Sequence, residues 1–109
     1  MKEKWCLNKW RDEIHQNAVN HGWWEEDRSF AETVALCHSE LSEALEEDRA
    51  DRDLIYIKDG KPEGIAVEMA DCLIRILDWC GAMEVDVDEL VAVKHSYNIG
   101  RPYKHGKRY

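Results

Sequence analysis

This chain is poor in the features that announce many protein classes. It has two prolines and one phenylalanine in 109 residues, and no acidic side chain after Glu89. Its four cysteines, Cys6, Cys37, Cys72 and Cys80, form no C-x-x-C pair, and none stands with histidine at zinc-site spacing. That excludes a zinc ribbon or dithiol redox motif and leaves buried free thiols as the expectation. No apolar run approaches the roughly 18–20 residues of a membrane span. Met1-Lys2-Glu3-Lys4-Trp5 leads into a mixed, charged segment rather than a signal peptide. A cytoplasmic protein with no membrane contact is expected. With no internal repeat or low-complexity segment, residues 1–109 read as a single domain.

What is present is apolar matter and charge, at 44% and 35% of residues, with five tryptophans. The composition suits a folded, helix-rich chain. The net charge of −8 is uneven: residues 1–93 carry −13 and the last sixteen +5. An acidic body argues against nucleic acid as a partner.

Taken in order, Leu7, Trp10, Ile14 and Ala18 predict a first helix over about Lys4–His21, stopped by Gly22. Trp23-Trp24 then set two indoles side by side, of which one can pack while the other is presented. Ser29 with Glu32 is a capping box opening a second helix. Phe30, Val34, Cys37, Leu41 and Ala44 form its heptad-like seam, with Glu40 at the seam's edge. The charged run Glu46–Asp53 ends it. Residues 51–64 read as a connector, briefly extended at Leu54–Ile57 and turning at Asp59-Gly60. Ile65–Cys80 is apolar nearly all round, save for a stripe of Glu68, Asp71, Arg75 and Asp78, and Gly81 closes it. Asp86 and Glu89 cap a fourth helix running to about Asn98, with Leu90, Val93 and Tyr97 expected inside. Four helices with short links predict an all-α four-helix bundle.

Two carboxylate pairs stand out. Glu40-Leu41-Ser42-Glu43 and Glu68-Met69-Ala70-Asp71 each place two acids three residues apart, on one side of a helix. One such pair is commonplace on solvated helices. The second lies on the most apolar helix, where a buried carboxylate needs a partner or a cation. Arg75, four residues after Asp71, could supply an ordinary ion pair. If instead a metal is held, oxygen donors without His or Cys favour Mg²⁺, with Mn²⁺ as a substitute. Lys94, Asn98 and Arg101 bring a cation, an amide and a guanidinium suited to phosphate oxygens.

In order and spacing, Ser39-Glu40-Leu41-Ser42-Glu43-Ala44-Leu45-Glu46, Glu68-Met69-Ala70-Asp71 and Lys94…Tyr97-Asn98…Arg101-Pro102-Tyr103 resemble the MazG-like family of all-α nucleoside triphosphate pyrophosphohydrolases. The likeness spans about Asn17 to Lys107. Ser39 departs from it, standing where many members carry a further Glu. The resemblance implies Mg²⁺-dependent hydrolysis of (deoxy)nucleoside triphosphates between the α and β phosphates, as nucleotide-pool cleaning. Glu40, Glu43, Glu68 and Asp71 would hold the metal, with Glu40 or Glu43 activating water. Lys94, Asn98 and Arg101 would hold pyrophosphate. The base would stack on Trp23 or Trp24, with Asn17 or His21 reading an edge. A homodimer or homotetramer is implied, completing the bundle. The competing readings are a non-catalytic helical module that binds a nucleotide or a partner helix, and a structural bundle whose acidic stripes are solvent faces.

Overall fold

A computed structural model describes residues 6–106; the expected helical start at Lys4 and the basic residues Lys107 and Arg108 lie outside that range. Four helices run in order: α1 (Leu7–Asn20), α2 (Phe30–Arg49), α3 (Ile65–Ala82) and α4 (Val87–Ile99), followed by a 3-10 turn at Tyr103–Gly106. The fold is mainly helical, with one small sheet in the connector. There β1 (Tyr56–Lys58) pairs antiparallel with β2 (Lys61–Glu63), Ile57 opposite Pro62. Asp59 and Gly60 both take positive φ (51° and 78°), the two-residue turn that matches strand twist. The extension expected at Leu54–Ile57 overlaps this hairpin only at Tyr56 and Ile57, since Leu54 and Ile55 precede the strand.

Helix ends follow the predicted chemistry. Ser29 Oγ accepts from Glu32 N at 3.2 Å, and Asp86 Oδ1 from Glu89 N at 3.1 Å. Gly22, at φ 84°, closes α1: Gly22 N donates to Val19 O and Trp23 N to Ala18 O, both at 3.1 Å. This 6→1 and 5→2 pattern needs a left-handed residue at the position Gly22 holds, and it fixes where Trp23 leaves the helix. The start of α1 is capped from far along the chain. Asp88 accepts from Leu7 N and Asn8 N at 3.1 and 3.2 Å, while Asn8 Oδ1 accepts from Val87 N at 2.8 Å. The N-termini of α1 and α4 therefore cap one another.

Gly81 does not close α3, which continues to Ala82. It marks the crossing with α1, where an added Cβ would lie 2.5 Å from His15 Cβ. Around this crossing Leu77, Cys80 and Val87 form a small core, joined by Leu7, Ile14, Trp79 and Val85. The inward faces elsewhere differ from the predicted ones. On α2 the buried residues are Thr33, Glu40, Ala44 and Glu47, whereas Phe30 and Leu41 of the expected seam are exposed. On α3, Glu68 and Asp78 are buried while Met69, Leu73, Ile74 and Ile76 are exposed. Leu90, Val93 and Tyr97, expected inside, are all exposed; α4 buries only Val87. Of the cysteines, Cys72 and Cys80 are buried, Cys37 is half-buried and Cys6 is exposed.

Candidate functional site

The two carboxylate pairs meet across the α2–α3 interface. Carboxylate oxygens of Glu40, Glu68 and Asp71 lie within 4.8 Å of one another. Helical spacing explains the approach, since Glu68 and Asp71 share one face of α3 and Glu40 lies on the α2 face packed against it. Glu68 is only 7% exposed, and its Oε2 has no hydrogen-bond partner. An unpartnered carboxylate oxygen at such depth is costly. Burial, then the facing side chains of Glu43 and Glu40, then the charges of Glu43 and Asp71, push the Glu68 carboxyl up to about 8. Asp71 is also raised, chiefly by burial and by Glu40, against the lowering pull of Arg75. Glu43 is itself exposed, at the rim of this cluster.

The local ion pair expected for Asp71 is not formed. Arg75 reaches across to α2, its Nη2 3.2 Å from Glu40 Oε1. Ser39 Oγ bonds back to Leu36 O at 2.7 Å, so the hydroxyl serves its own helix. A second buried carboxylate on α2, Glu47, is fully served: Tyr56 Oη lies 2.9 Å from Oε2, and Arg52 Nη1 is 3.2 Å from Oε1. Glu68 is therefore the exception among the buried acids, and its chemistry fits a bound cation. Three carboxylates, Glu40, Glu68 and Asp71, come together with no nitrogen or sulfur donor among them, a donor set of the kind hard cations take.

A cleft of about 580 Å³ opens beside Glu40 and Asp71, walled by α1, the α1–α2 loop and α3. Its size is that of a small-ligand site. Two of the residues expected at a base, Trp23 and Asn17, line it. Trp24 does not; its Nε1 donates to Asp78 Oδ1 at 2.9 Å, and it packs inward. His21 Nδ1 lies 2.8 Å from Asn17 O at the end of α1, outside the cleft lining. Sequence reasoning missed Trp10, Glu13, Arg28 and Asp78 as cleft residues. A buried aspartate within a polar stripe was the available signal for Asp78. It gathers His15 Nδ1 (2.8 Å), Trp24 and Arg28 Nη1 (3.4 Å), with the Arg28 guanidinium 4.6 Å from the centre of the Trp24 ring. This knot pins the loop and leaves Trp23 presented, 62% exposed.

The phosphate-site candidates lie elsewhere. Lys94 and Asn98 line a shallow groove on α4 with Leu90, Val91 and His95, and that groove shares no residue with the acidic cleft. Lys94 Nζ and the Arg101 guanidinium flank the Tyr97 ring at 4.8 and 5.7 Å. Within one chain the cations beside the carboxylates are instead Arg75, paired with Glu40, and Lys61, which shares a groove with Glu43 and Glu68.

Together these features define a small, mainly helical protein whose carboxylate cluster reaches an aromatic-walled cleft through Glu40 and Asp71. No family model matches the chain, and no curated protein and no solved structure compared with it is similar. Among the described residues, no helix is long and apolar enough to cross a membrane.

Proposed function

We propose that this chain is a MazG-like, Mg²⁺-dependent nucleoside triphosphate pyrophosphohydrolase. It would cleave (deoxy)nucleoside triphosphates between the α and β phosphates, to a monophosphate and pyrophosphate, as nucleotide-pool cleaning in the cytoplasm. The observation that carries the reading is Glu68. It is a buried carboxylate with an unpartnered oxygen, facing Glu40, Glu43 and Asp71, of which Glu40 and Asp71 line a nucleotide-sized cleft. These four acids would hold Mg²⁺, with Mn²⁺ as a substitute. The ion supplies Lewis acidity toward phosphate oxygens.

The chain's own groups account for the rest. Glu40 or Glu43 orients the attacking water and takes its proton. Arg75, held by Glu40, and Arg28, held by Asp78, offer guanidinium groups to the phosphates. Trp23 stacks against the base, with Asn17 at its edge. Lys94, Asn98 and Arg101 would reach a triphosphate from a second copy, in a homodimer or homotetramer built on the exposed apolar faces of α3 and α4.

Pyrophosphate release from a panel of deoxynucleoside triphosphates with Mg²⁺ tests the proposal. Release is expected, and it should be lost in Glu40→Gln and Glu68→Gln. No release from any triphosphate, or full activity in both variants, overturns it. The second reading, a nucleotide-binding module without turnover, draws on the separation of Lys94 and Asn98 from the carboxylates in one chain. It predicts binding with no pyrophosphate.

A further inference from the structure

The α1 wall of the cleft has a chemistry of its own. Trp10, Glu13 and Asn17 stand at i, i+3 and i+7, so they form one stripe of the helix, and all three line the cleft together with Trp23. The exposed Trp23 indole offers a face for stacking, which is tolerant of base identity. The polar groups of the stripe are not tolerant. A carboxylate only accepts hydrogen bonds, whereas an amide both donates and accepts. Among the described residues the Glu13 carboxylate has no hydrogen-bond or ion-pair partner, and it is exposed at the cleft wall, so its acceptors are open to a ligand there.

Charge along the cleft gives a direction. Arg75 lies at the carboxylate cluster, paired with Glu40, and Arg28 is held by Asp78 of α3, while Glu13 on α1 has no cation partner among the described residues. With a cation at Glu40 and Asp71, as the proposed function has it, a phosphate chain is drawn to that end and to Arg75 and repelled by Glu13, so the base end of a nucleotide faces α1. We propose that this wall reads the base, and that Glu13 selects bases bearing an exocyclic amine (cytosine, adenine, guanine) over uracil and thymine. Cytosine and adenine present an amine donor beside a ring nitrogen, matching an acceptor from Glu13 and a donor from Asn17. Guanine presents N1–H and its amine to the carboxylate, and its O6 to the amide. Uracil and thymine offer one N–H flanked by two carbonyl oxygens, which a carboxylate repels.

This inference rests on the nucleotide reading of the cleft but not on turnover, so it is tested by binding. Quenching of indole fluorescence by dCMP, dAMP, dGMP, dTMP and dUMP reports occupancy, with Trp23→Phe as the control that the signal arises in the cleft. The three amine-bearing monophosphates should bind about tenfold tighter than dTMP and dUMP, the ratio worth one hydrogen-bond mismatch. Glu13→Gln supplies a donor as well as an acceptor and should bring the two groups within about twofold. Equal binding by the wild-type chain, tighter dTMP or dUMP, no binding of any, or a preference untouched by Glu13→Gln overturns it. Absence of triphosphate hydrolysis in the same preparations overturns the reaction instead, and leaves the base preference to stand or fall on its own measurement.

Discussion

The α2–α3 interface and the outer face of α4 invert the usual distribution of polarity. Together α2 and α3 bury Glu40, Glu47, Glu68 and Asp78, whereas α4 exposes Leu90, Val91, Val93, Tyr97 and Ile99, the last at 71%. Neither region is at its best in a single chain. A buried carboxylate needs charge compensation, and a row of large apolar side chains needs cover. Glu47 and Asp78 find their compensation internally. Glu68 and α4 do not, and on the proposed reading a cation would meet the need of the first and a second copy of the chain that of the second. In that proposal the cation would supply chemistry at the cleft, and the partner copy stability and the α4 cations.

The sharpest way to break this comparison is to neutralise the acids. Glu68→Gln and Glu40→Gln each remove a charge that would hold the cation, and pyrophosphate release should fall by roughly 100-fold or more, in line with deletion of a preorganised electrostatic group. Circular dichroism should show the helices intact, because glutamine keeps the volume. The apolar side is tested by Leu90→Glu combined with Ile99→Glu. Light scattering should give a dimer or larger for the wild-type chain and a monomer for the double variant. A monomeric wild type would leave α4 without its explanation.

How much of this was legible beforehand divides along the same line. Helix boundaries were readable, because Ser29, Asp86 and Gly22 act locally through backbone geometry that a few residues specify. The meeting of Glu40 with Glu68 and Asp71 was also foreshadowed, since i, i+3 spacing fixes a face. Which face turns inward was not. A helical wheel sends apolar residues inside, so Leu90, Val93 and Tyr97 were misplaced, and Phe30 and Leu41 with them. That rule presumes that the single chain is the whole burying surface. Gly81 misled for a related reason: glycine reads as a stop, but here it clears space for His15 on a neighbouring helix. The Asp78 knot joins residues 50 to 63 positions apart and leaves no local pattern.

A smaller effect separates the unpartnered acid from its neighbours by pH. Glu68 keeps its proton in the folded chain where the unfolded chain has lost it, between pH 4.5 and about 8. Across that window the unfolded state binds fewer protons, so metal-free stability is fully present below it and falls as pH rises through it. Asp71, raised in the same direction, adds to the trend. The melting temperature of chelator-treated protein should therefore drop by several degrees from pH 5 to pH 8. Mg²⁺ should restore it at pH 8 and do little at pH 5, because binding requires the deprotonated acids. In Glu68→Gln the slope should flatten and the Mg²⁺ effect shrink.

Glu47 supplies the contrast with the smallest expected effect. It is as buried as Glu68 and sits on the same helix as Glu40, yet Tyr56 and Arg52 satisfy it from the hairpin side. If the behaviour of Glu68 comes from lacking a partner, and not from burial alone, then loosening Glu47 should cost stability without touching the cation. Tyr56→Phe removes one hydroxyl and leaves Arg52 in place, so the loss should be about 1 kcal/mol, the usual net value of a hydrogen bond. Denaturant melts with and without Mg²⁺ check it: both midpoints should fall by the same amount, with pyrophosphate release unchanged under native conditions. A Tyr56→Phe chain that also lost its Mg²⁺ response would mean that the hairpin and the carboxylate cluster act as one unit, and the contrast between Glu47 and Glu68 would dissolve.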